Sequence, residues 1–476
     1  MLAIAMLCST SGQADSPIDD PRVASALAIA EAWVDSQASF EGIPGISMGV
    51  VYDQTLVWAR GFGYAHLDRR VPAAPDTIYS ICSISKLFTS ISVMQLRDRD
   101  KLRLDAPLGT YLPWFNIEQA YRESAPISLG GILTHSSGLP RESDFPYWSG
   151  PEGYPFPSRE QVIARLAEQT TLYPADTYPQ YSNLGLTLAG EVVSAVSGQS
   201  FEAYVQTNIL TPLGLKDTTP EIPDRHGSGR LATGYTARVR DGSRKPVPFY
   251  VVRGMAPAFG FASTVEDLAR FASWQFRLLE RGGTEVLAST TLKEMHRVHW
   301  MNPDWEGAHG WGFSVSQRGG KTFVGHGGNC PGYRTQLMMS PADKIAVIFM
   351  TNGQGTNTGR YTRAVFDLVA PAIKRAVEAP ASAKKPDSDL RRYVGRYEPP
   401  FGGETQVFIQ EGDLALVSLL SDNPAQAARK LKRTSAHVFR LVREDGGLAE
   451  EVVFELGPDG RARRFKQHSN YSHRLD

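Results

Sequence analysis

The sequence predicts an α+β protein, an antiparallel sheet flanked by helices with a mostly helical insertion, followed by a small antiparallel β domain. Three observations predict it. Strand-like runs at Gly45 to Tyr52 and Thr55 to Phe62 stand near the start, and strands return together between residues 312 and 351, with helical patterns between. A sheet drawn from both ends of one region, with helices packed on it, buries both kinds of apolar face. Beyond an Ala/Pro/Lys-rich stretch at residues 379–388 the pattern changes to short alternating strands and Gly-rich turns. The expected boundaries are 1–14 for an export segment, 15–378 for the α+β domain, 379–388 for a linker and 389–476 for the β domain.

In chain order, residues 20 to about 36 carry a helical pattern, with Pro21 suited to a first turn. Asp53-Gln54 is the turn between the first two strands. Apolar residues at Ile84, Leu87, Phe88, Ile91 and Met94 repeat at the spacing of an amphipathic helix, and Ser80 is its expected cap. Residues 104–140 are mixed. The stretch from Arg141 to Pro179 is rich in Pro, Gly and aromatics and reads as loops with one helix near Arg159 to Gln169. Tyr181-Ser182-Asn183 opens a helical run through Val196, and another helix covers Thr264 to Leu279. The returning strands are Gly312 to Ser316, Thr322 to His326, Thr335 to Ser340 and Ile345 to Thr351, before a last helix over Arg360 to Val377. In the β domain Thr405 to Val417 alternates around Glu411-Gly412-Asp413, a hairpin signal. Val438 to Val442, Glu451 to Glu455 and Ala462 to Gln467 continue the alternation.

Hydrophobic residues make up 42% of the 476 and charged residues 21%, the composition of a packed globular chain. Lys+Arg and Asp+Glu number 50 each, which argues against a dedicated nucleic-acid surface. The apolar start, Met1 to Cys8, with small residues at Gly12-Gln13-Ala14, reads as an export signal without its usual positive front. No stretch reaches the roughly 20 apolar residues of a membrane helix. The expectation is an exported, periplasmic or secreted protein with no membrane span.

Ser83 and Lys86 stand three apart on the Ile84 to Met94 helix, so they share a face. A serine hydroxyl is a poor nucleophile until a neighbouring base takes its proton. A lysine is that base only when neutral, and burial or a nearby helix N-terminus lowers its pKa. Ser382-Ala383-Lys384-Lys385 repeats the spacing, but within the linker. Two further stretches decide between them. Ser-x-x-Lys, Ser-Asp-Asn and Lys-Thr-Gly are the signature set of penicillin-binding proteins and class A β-lactamases. Here Ser83-Ile84-Ser85-Lys86 comes first, Tyr181-Ser182-Asn183 second and His326-Gly327-Gly328 third.

With Tyr-x-Asn and His-x-Gly in the later places, residues 20–377 resemble the serine β-lactamase and penicillin-binding-protein fold. The resemblance is to its group of class C β-lactamases, D-aminopeptidases and family VIII esterases. Leu133-Thr134-His135-Ser136-Ser137-Gly138-Leu139, the Ser263 to Ala269 stretch and Gly310-Trp311-Gly312 add to it. Tyr393-Val394-Gly395-Arg396-Tyr397 looks like the opening of the lipocalin-like β domain of multi-domain D-aminopeptidases, where such barrels shape access to the cleft.

The resemblance implies Ser83 as nucleophile, with Lys86 and Tyr181 sharing its proton. Tyrosine titrates near 10 in water, so Tyr181 accepts a proton only if cationic neighbours lower its pKa. Asn183 is expected to bind Lys86 or a substrate amide. Gly327 and Gly328 let substrate lie against a strand, and the backbone N–H groups of Ser83 and Asn329 are the implied oxyanion donors. His326 stands where lysine marks the penicillin-handling enzymes, is neutral or charged near pH 7, and weakens the case for gripping a substrate carboxylate. His66, His135, His226, His309 and His326 show no metal-ligand spacing, and no cofactor is expected. Some class A carbapenemases carry a disulfide at the places of Cys82 and Cys330, which implies that bridge here; two free buried cysteines are the alternative. The function expected is hydrolysis of an ester or amide through a Ser83 acyl-enzyme, on a small-molecule or peptide substrate. Esterase or D-peptidase activity comes first and weak β-lactam hydrolysis second. A penicillin-binding or sensing protein of the same fold is the alternative.

Overall fold

A computed structural model describes residues 17–149, 153–222, 229–379 and 388–475. The expected export segment and residues 380–387 of the expected linker lie outside the described residues. The chain forms two compact units, Gln37–Phe366 and a second that joins Met1–Ser36 to Asp367–Asp476. The elements used below are α1 (Pro21–Phe40), β1 (Gly45–Tyr52), β2 (Thr55–His66), α2 (Ser85–Asp98), α3 (Asn183–Ser197), α4 (Val265–Arg281), β3 (Ser314–Arg318), β4 (Lys321–Cys330), β5 (Tyr333–Ser340), β6 (Ile345–Thr351) and α5 (Thr358–Glu378).

The first unit is built on a nine-stranded sheet in the order Val71–Pro72, β2, β1, β6, β5, β4, β3, Ala308–His309, Trp300–Met301. Every pairing is antiparallel. β1 pairs with β6 from Ile46↔Thr351 to Tyr52↔Ile345, so the two ends of the region meet at the sheet centre. Both strands are almost wholly buried, which explains their unbroken apolar runs. Helices cover the sheet. Gly49 lacks the Cβ that would stand 2.5 Å from Val265 Cγ1 at the start of α4, and on α5 Tyr361 packs tilted against Phe349 and Phe366 edge-on against Phe323. The insertion between β2 and β3 is mostly helical and loop, as expected.

The expected cap at Ser80 is wrong. Ser80 lies in a two-residue strand, Tyr79–Ser80, paired with Ala262–Ser263. The helix proper begins at Ser85, after a single 3-10 turn over Cys82–Ile84 that contains Ser83. The periodicity of α2 was legible, but its start is set by this pairing with a segment about 180 residues away. Its Ser85 hydroxyl donates to the Cys82 carbonyl and accepts from the Phe261 N–H.

In the second unit, strands from Gly395–Glu398 to Asn470–Arg474 close an eight-stranded antiparallel barrel. The hairpin turn is at Glu411-Gly412, both with positive φ. Three strands escaped the sequence reading: Gly395–Glu398, Arg429–Arg433 and Asn470–Arg474. Arg429–Arg433 carries four cations around one buried leucine, Leu431, and so shows no apolar alternation. The interior is filled by Tyr393, Tyr397, Phe439, Phe454 and Phe465 with aliphatic neighbours, as a small barrel permits. Within this unit Trp33 Nε1 donates to the Ser421 carbonyl at 2.9 Å and Arg375 pairs with Glu411 at 3.1 Å. Among the described residues no helix is long and apolar enough to cross a membrane.

Candidate active site

Three elements bring the polar residues of the first unit together: the turn into α2, the start of α3 and the edge of β4. Ser182 caps α3, its hydroxyl accepting from the Gly185 N–H at 2.8 Å. With the cap supplied by Ser182, the Asn183 side chain is free to reach across to α2. The β3–β4 ladder ends at Ser314↔Gly325, so β4 from His326 onward presents an edge unpaired with β3. Gly328 is where that edge meets the turn before Ser83. A Cβ there would stand 2.0 Å from Thr335 Oγ1 and 2.4 Å from the Ile81 carbonyl oxygen. Gly328→Ala is therefore expected to cost about 1–3 kcal/mol of stability, as overpacking does. A thermal or urea midpoint unchanged from wild type would contradict that.

Lys86 is fully buried. Its Nζ lies 3.1 Å from Ser83 Oγ, 2.8 Å from Asn183 Oδ1 and 2.8 Å from the Ala258 carbonyl oxygen. Burial drives its pKa well below the ordinary lysine value; Glu142 opposes that shift and Arg141 reinforces it. Asn183 Nδ2 donates to both carboxylate oxygens of Glu142, at 2.9 and 3.0 Å. A carboxylate only accepts, so this contact fixes the amide with its oxygen toward Lys86. A neutral amine has two N–H groups and one lone pair. Asn183 Oδ1 and the Ala258 carbonyl take both N–H groups, which leaves the lone pair facing Ser83.

Tyr181 lines the same cleft as Ser83. Lys86 Nζ and the Arg141 guanidinium each stand 4.9 Å from the centre of its ring. The condition set for Tyr181 as a proton acceptor, a net lowering of this phenol by cationic neighbours, is not met: Arg141 lowers it, but not enough. Burial outweighs the opposing influence of the Ser83 hydroxyl and Arg141 and pushes Tyr181 up to about 12. Burial therefore favours the neutral form of both the Lys86 amine and the Tyr181 phenol.

His326 is buried, with its ring centre 6.3 Å from that of Tyr181. Its Nδ1 lies 2.7 Å from the Gly327 carbonyl oxygen. That oxygen only accepts, so Nδ1 carries the proton and Nε2 is an acceptor. Burial, then Lys86, lowers its pKa to about 3. Of the two charge states left open by the sequence, the structure holds the neutral one. Cys82 and Cys330 form a disulfide with Cα atoms 5.7 Å apart. It links the residue before Ser83 to the residue after Asn329.

Ser83, Tyr181, His326, Gly327, Gly328 and Asn329 line one cleft of about 250 Å³, with Lys86 and Asn183 buried behind Ser83. Two of the neighbours that escaped the sequence reading support these groups. Glu142 orients Asn183 and also accepts a hydrogen bond from the Tyr147 hydroxyl. His135, at φ +59°, accepts at Nδ1 from the Ser182 N–H, and its ring lies tilted against Tyr181 with the ring centres 4.1 Å apart. Glu142 sits in a Pro- and aromatic-rich loop with no motif spacing to mark it. His135 stood in a stretch already singled out, yet nothing local says that its ring backs Tyr181. Among the described residues no group of three His, Cys, Asp or Glu side chains is placed to hold a metal ion; His226 lies outside them.

The sequence profile of the Beta-lactamase family matches residues 30–372. The chain is 27% identical to Beta-lactamase-like protein 2 of Dictyostelium discoideum, over 92% of this chain and 84% of that one. It is 25% identical to a D-aminopeptidase of Gluconobacter oxydans, over 77% of this chain and 67% of the relative. Among solved structures, the octameric penicillin-binding protein homologue of Pyrococcus abyssi aligns with a TM-score of 0.65 at 23% identity, covering 94% of this chain and 99% of the other.

Proposed function

The chain belongs to the beta-lactamase family, a family of hydrolases, and from that premise we propose that it cleaves an ester or amide through an acyl-enzyme on Ser83. One observation carries the reading: the buried Lys86 amine, its N–H groups engaged by Asn183 and Ala258, faces the Ser83 hydroxyl at 3.1 Å. In this reading Lys86 takes the Ser83 proton as Oγ attacks the carbonyl carbon. Tyr181, protonated at neutral pH, donates to the leaving group, and the Lys86 ammonium restores the phenol's proton. In the second half, water gives its proton to Lys86 and attacks the acyl carbon, and the proton returns to Ser83 as the acid leaves. The backbone N–H groups of Ser83 and Asn329 hold the oxyanion; in other enzymes one such donor is worth roughly 2.7–4 kcal/mol.

The D-aminopeptidase relative and the neutral His326 support D-peptidase or esterase activity ahead of β-lactam hydrolysis. The buried disulfide suits an exported protein, since such bonds persist in oxidising compartments. The test is labelling with a fluorophosphonate, read by intact mass, beside turnover of p-nitrophenyl butyrate, D-aminoacyl anilides and nitrocefin. Labelling at Ser83 that disappears in Ser83→Ala, with turnover of an ester or D-aminoacyl amide, is the expected result. Labelling without any turnover would instead make the chain a binding protein.

Glu142 offers a finer check. Its charge opposes the fall of the Lys86 pKa, so removing it lowers that pKa further. Activity needs neutral Lys86 and is lost as pH drops through its folded pKa. Glu142→Gln is therefore expected to move the acid limb of kcat/KM to lower pH; an unmoved limb would separate Glu142 from Lys86.

A further inference from the structure

Arg334 is a cation in the cleft that no step above uses. β5 alternates, with Tyr333, Thr335 and Leu337 buried and Arg334, Gln336 and Met338 partly exposed. The register sets Asn329 opposite Arg334 and Gly327 opposite Gln336. Gly327 has no side chain to block the way, and the cleft that holds Ser83 is lined beyond it by Gln336, Arg334 and Thr358.

Among the described residues nothing pairs with this guanidinium. Its Nε is buried without a hydrogen-bond partner. Partial burial alone acts on it, holding its pKa below the usual arginine value, with no carboxylate to raise it. The other cleft arginine, Arg141, contrasts with it, lying 3.2 Å from Glu142. Arginine stays charged at any physiological pH, and its planar fork matches a carboxylate. A partly desolvated charge without a counter-ion is costly, so a partner supplied by the substrate is strongly favoured. Thr358 also opens the 21-residue α5, whose positive end favours an anion.

We propose that Arg334 receives a carboxylate carried by the substrate, so the site prefers esters or amides bearing a free carboxylate, such as a peptide with a free C-terminus, over neutral ones. This rests on the hydrolase reading above and names its substrate class. It also reverses the weight that His326 alone placed against carboxylates: the histidine where lysine was expected is neutral, but a cation reaches the cleft from the next strand.

The test uses the full chain and pairs of substrates matched except for the charge. These are p-nitrophenyl butyrate with the p-nitrophenyl monoester of succinate, the pentanoate with that of glutarate, and N-acetyl-D-alanyl-D-alanine with its amide. Wild type is expected to favour the carboxylate member of at least one pair about tenfold or more in kcat/KM, the scale of a hydrogen bond to a charged group. That ratio is expected to fall about tenfold in Arg334→Gln and to return in part in Arg334→Lys. No preference in any pair, or one that survives Arg334→Gln, overturns the proposal. The unmutated protein's ratios decide even if Arg334→Gln does not fold. A fluorophosphonate carries no carboxylate. Ser83 labelled without any preference therefore defeats Arg334 alone, whereas an unlabelled Ser83 and no turnover would defeat the hydrolase reading.

Discussion

Lys86→Met is expected to lower kcat for any substrate the protein turns over by roughly three orders of magnitude, within the range for loss of a positioned general base. Methionine keeps the length of the side chain and fills the buried space, so packing is disturbed little. The Asn183 Oδ1 and Ala258 carbonyl each lose a donor at 2.8 Å, a stability cost of about 1–3 kcal/mol per acceptor left buried. A midpoint of unfolding measured beside kcat separates the two effects. The pH profile gives a second readout. In wild type, activity rises with pH through the folded pKa of Lys86, which burial sets well below the ordinary lysine value. The phenol, near 12, contributes no limb at neutral pH. In Lys86→Met the acid limb is expected to vanish from the residual rate. A variant with near wild-type kcat, or with the limb intact, would transfer the base role to Tyr181.

Breaking the Cys82–Cys330 disulfide is expected to cost about 2–4 kcal/mol of stability, from the unfolded-chain entropy that the bond removes. It is also expected to lower kcat more than it raises KM. The bond ties the residue before Ser83 to the residue after Asn329, and Gly328 between them lies against the Ile81 carbonyl and Cys82. Slackening that tie loosens the spacing of the two N–H groups assigned to the oxyanion, an interaction made mainly in the transition state. Urea unfolding and steady-state kinetics of Cys330→Ala, and of wild type with and without reductant, measure both. A midpoint and a kcat that reductant leaves unchanged would give the bond neither role.

What was legible and what was not divide along a physical line. α2 announced itself through Ile84, Leu87, Phe88, Ile91 and Met94, because amphipathic periodicity is local; its first residue did not, because Tyr79–Ser80 pairs with Ala262–Ser263. The barrel was legible wherever strands alternate, and missed at Arg429–Arg433, where one leucine faces inward among cations.

By itself, the sequence determined the α+β class with an appended β domain, and the order of three short polar motifs around Ser83, Tyr181 and His326. Periodicity and residue chemistry travel with the chain and need no neighbours. Only the tertiary structure decided charge states and partners. Lys86 is pushed toward the neutral form by burial among groups such as Ala258 and Asn183, Asn183 is turned by Glu142, and Arg334 stands in the cleft with no counter-ion among the described residues. Desolvation and pairing depend on which distant segments close over a group, and no stretch of sequence records that.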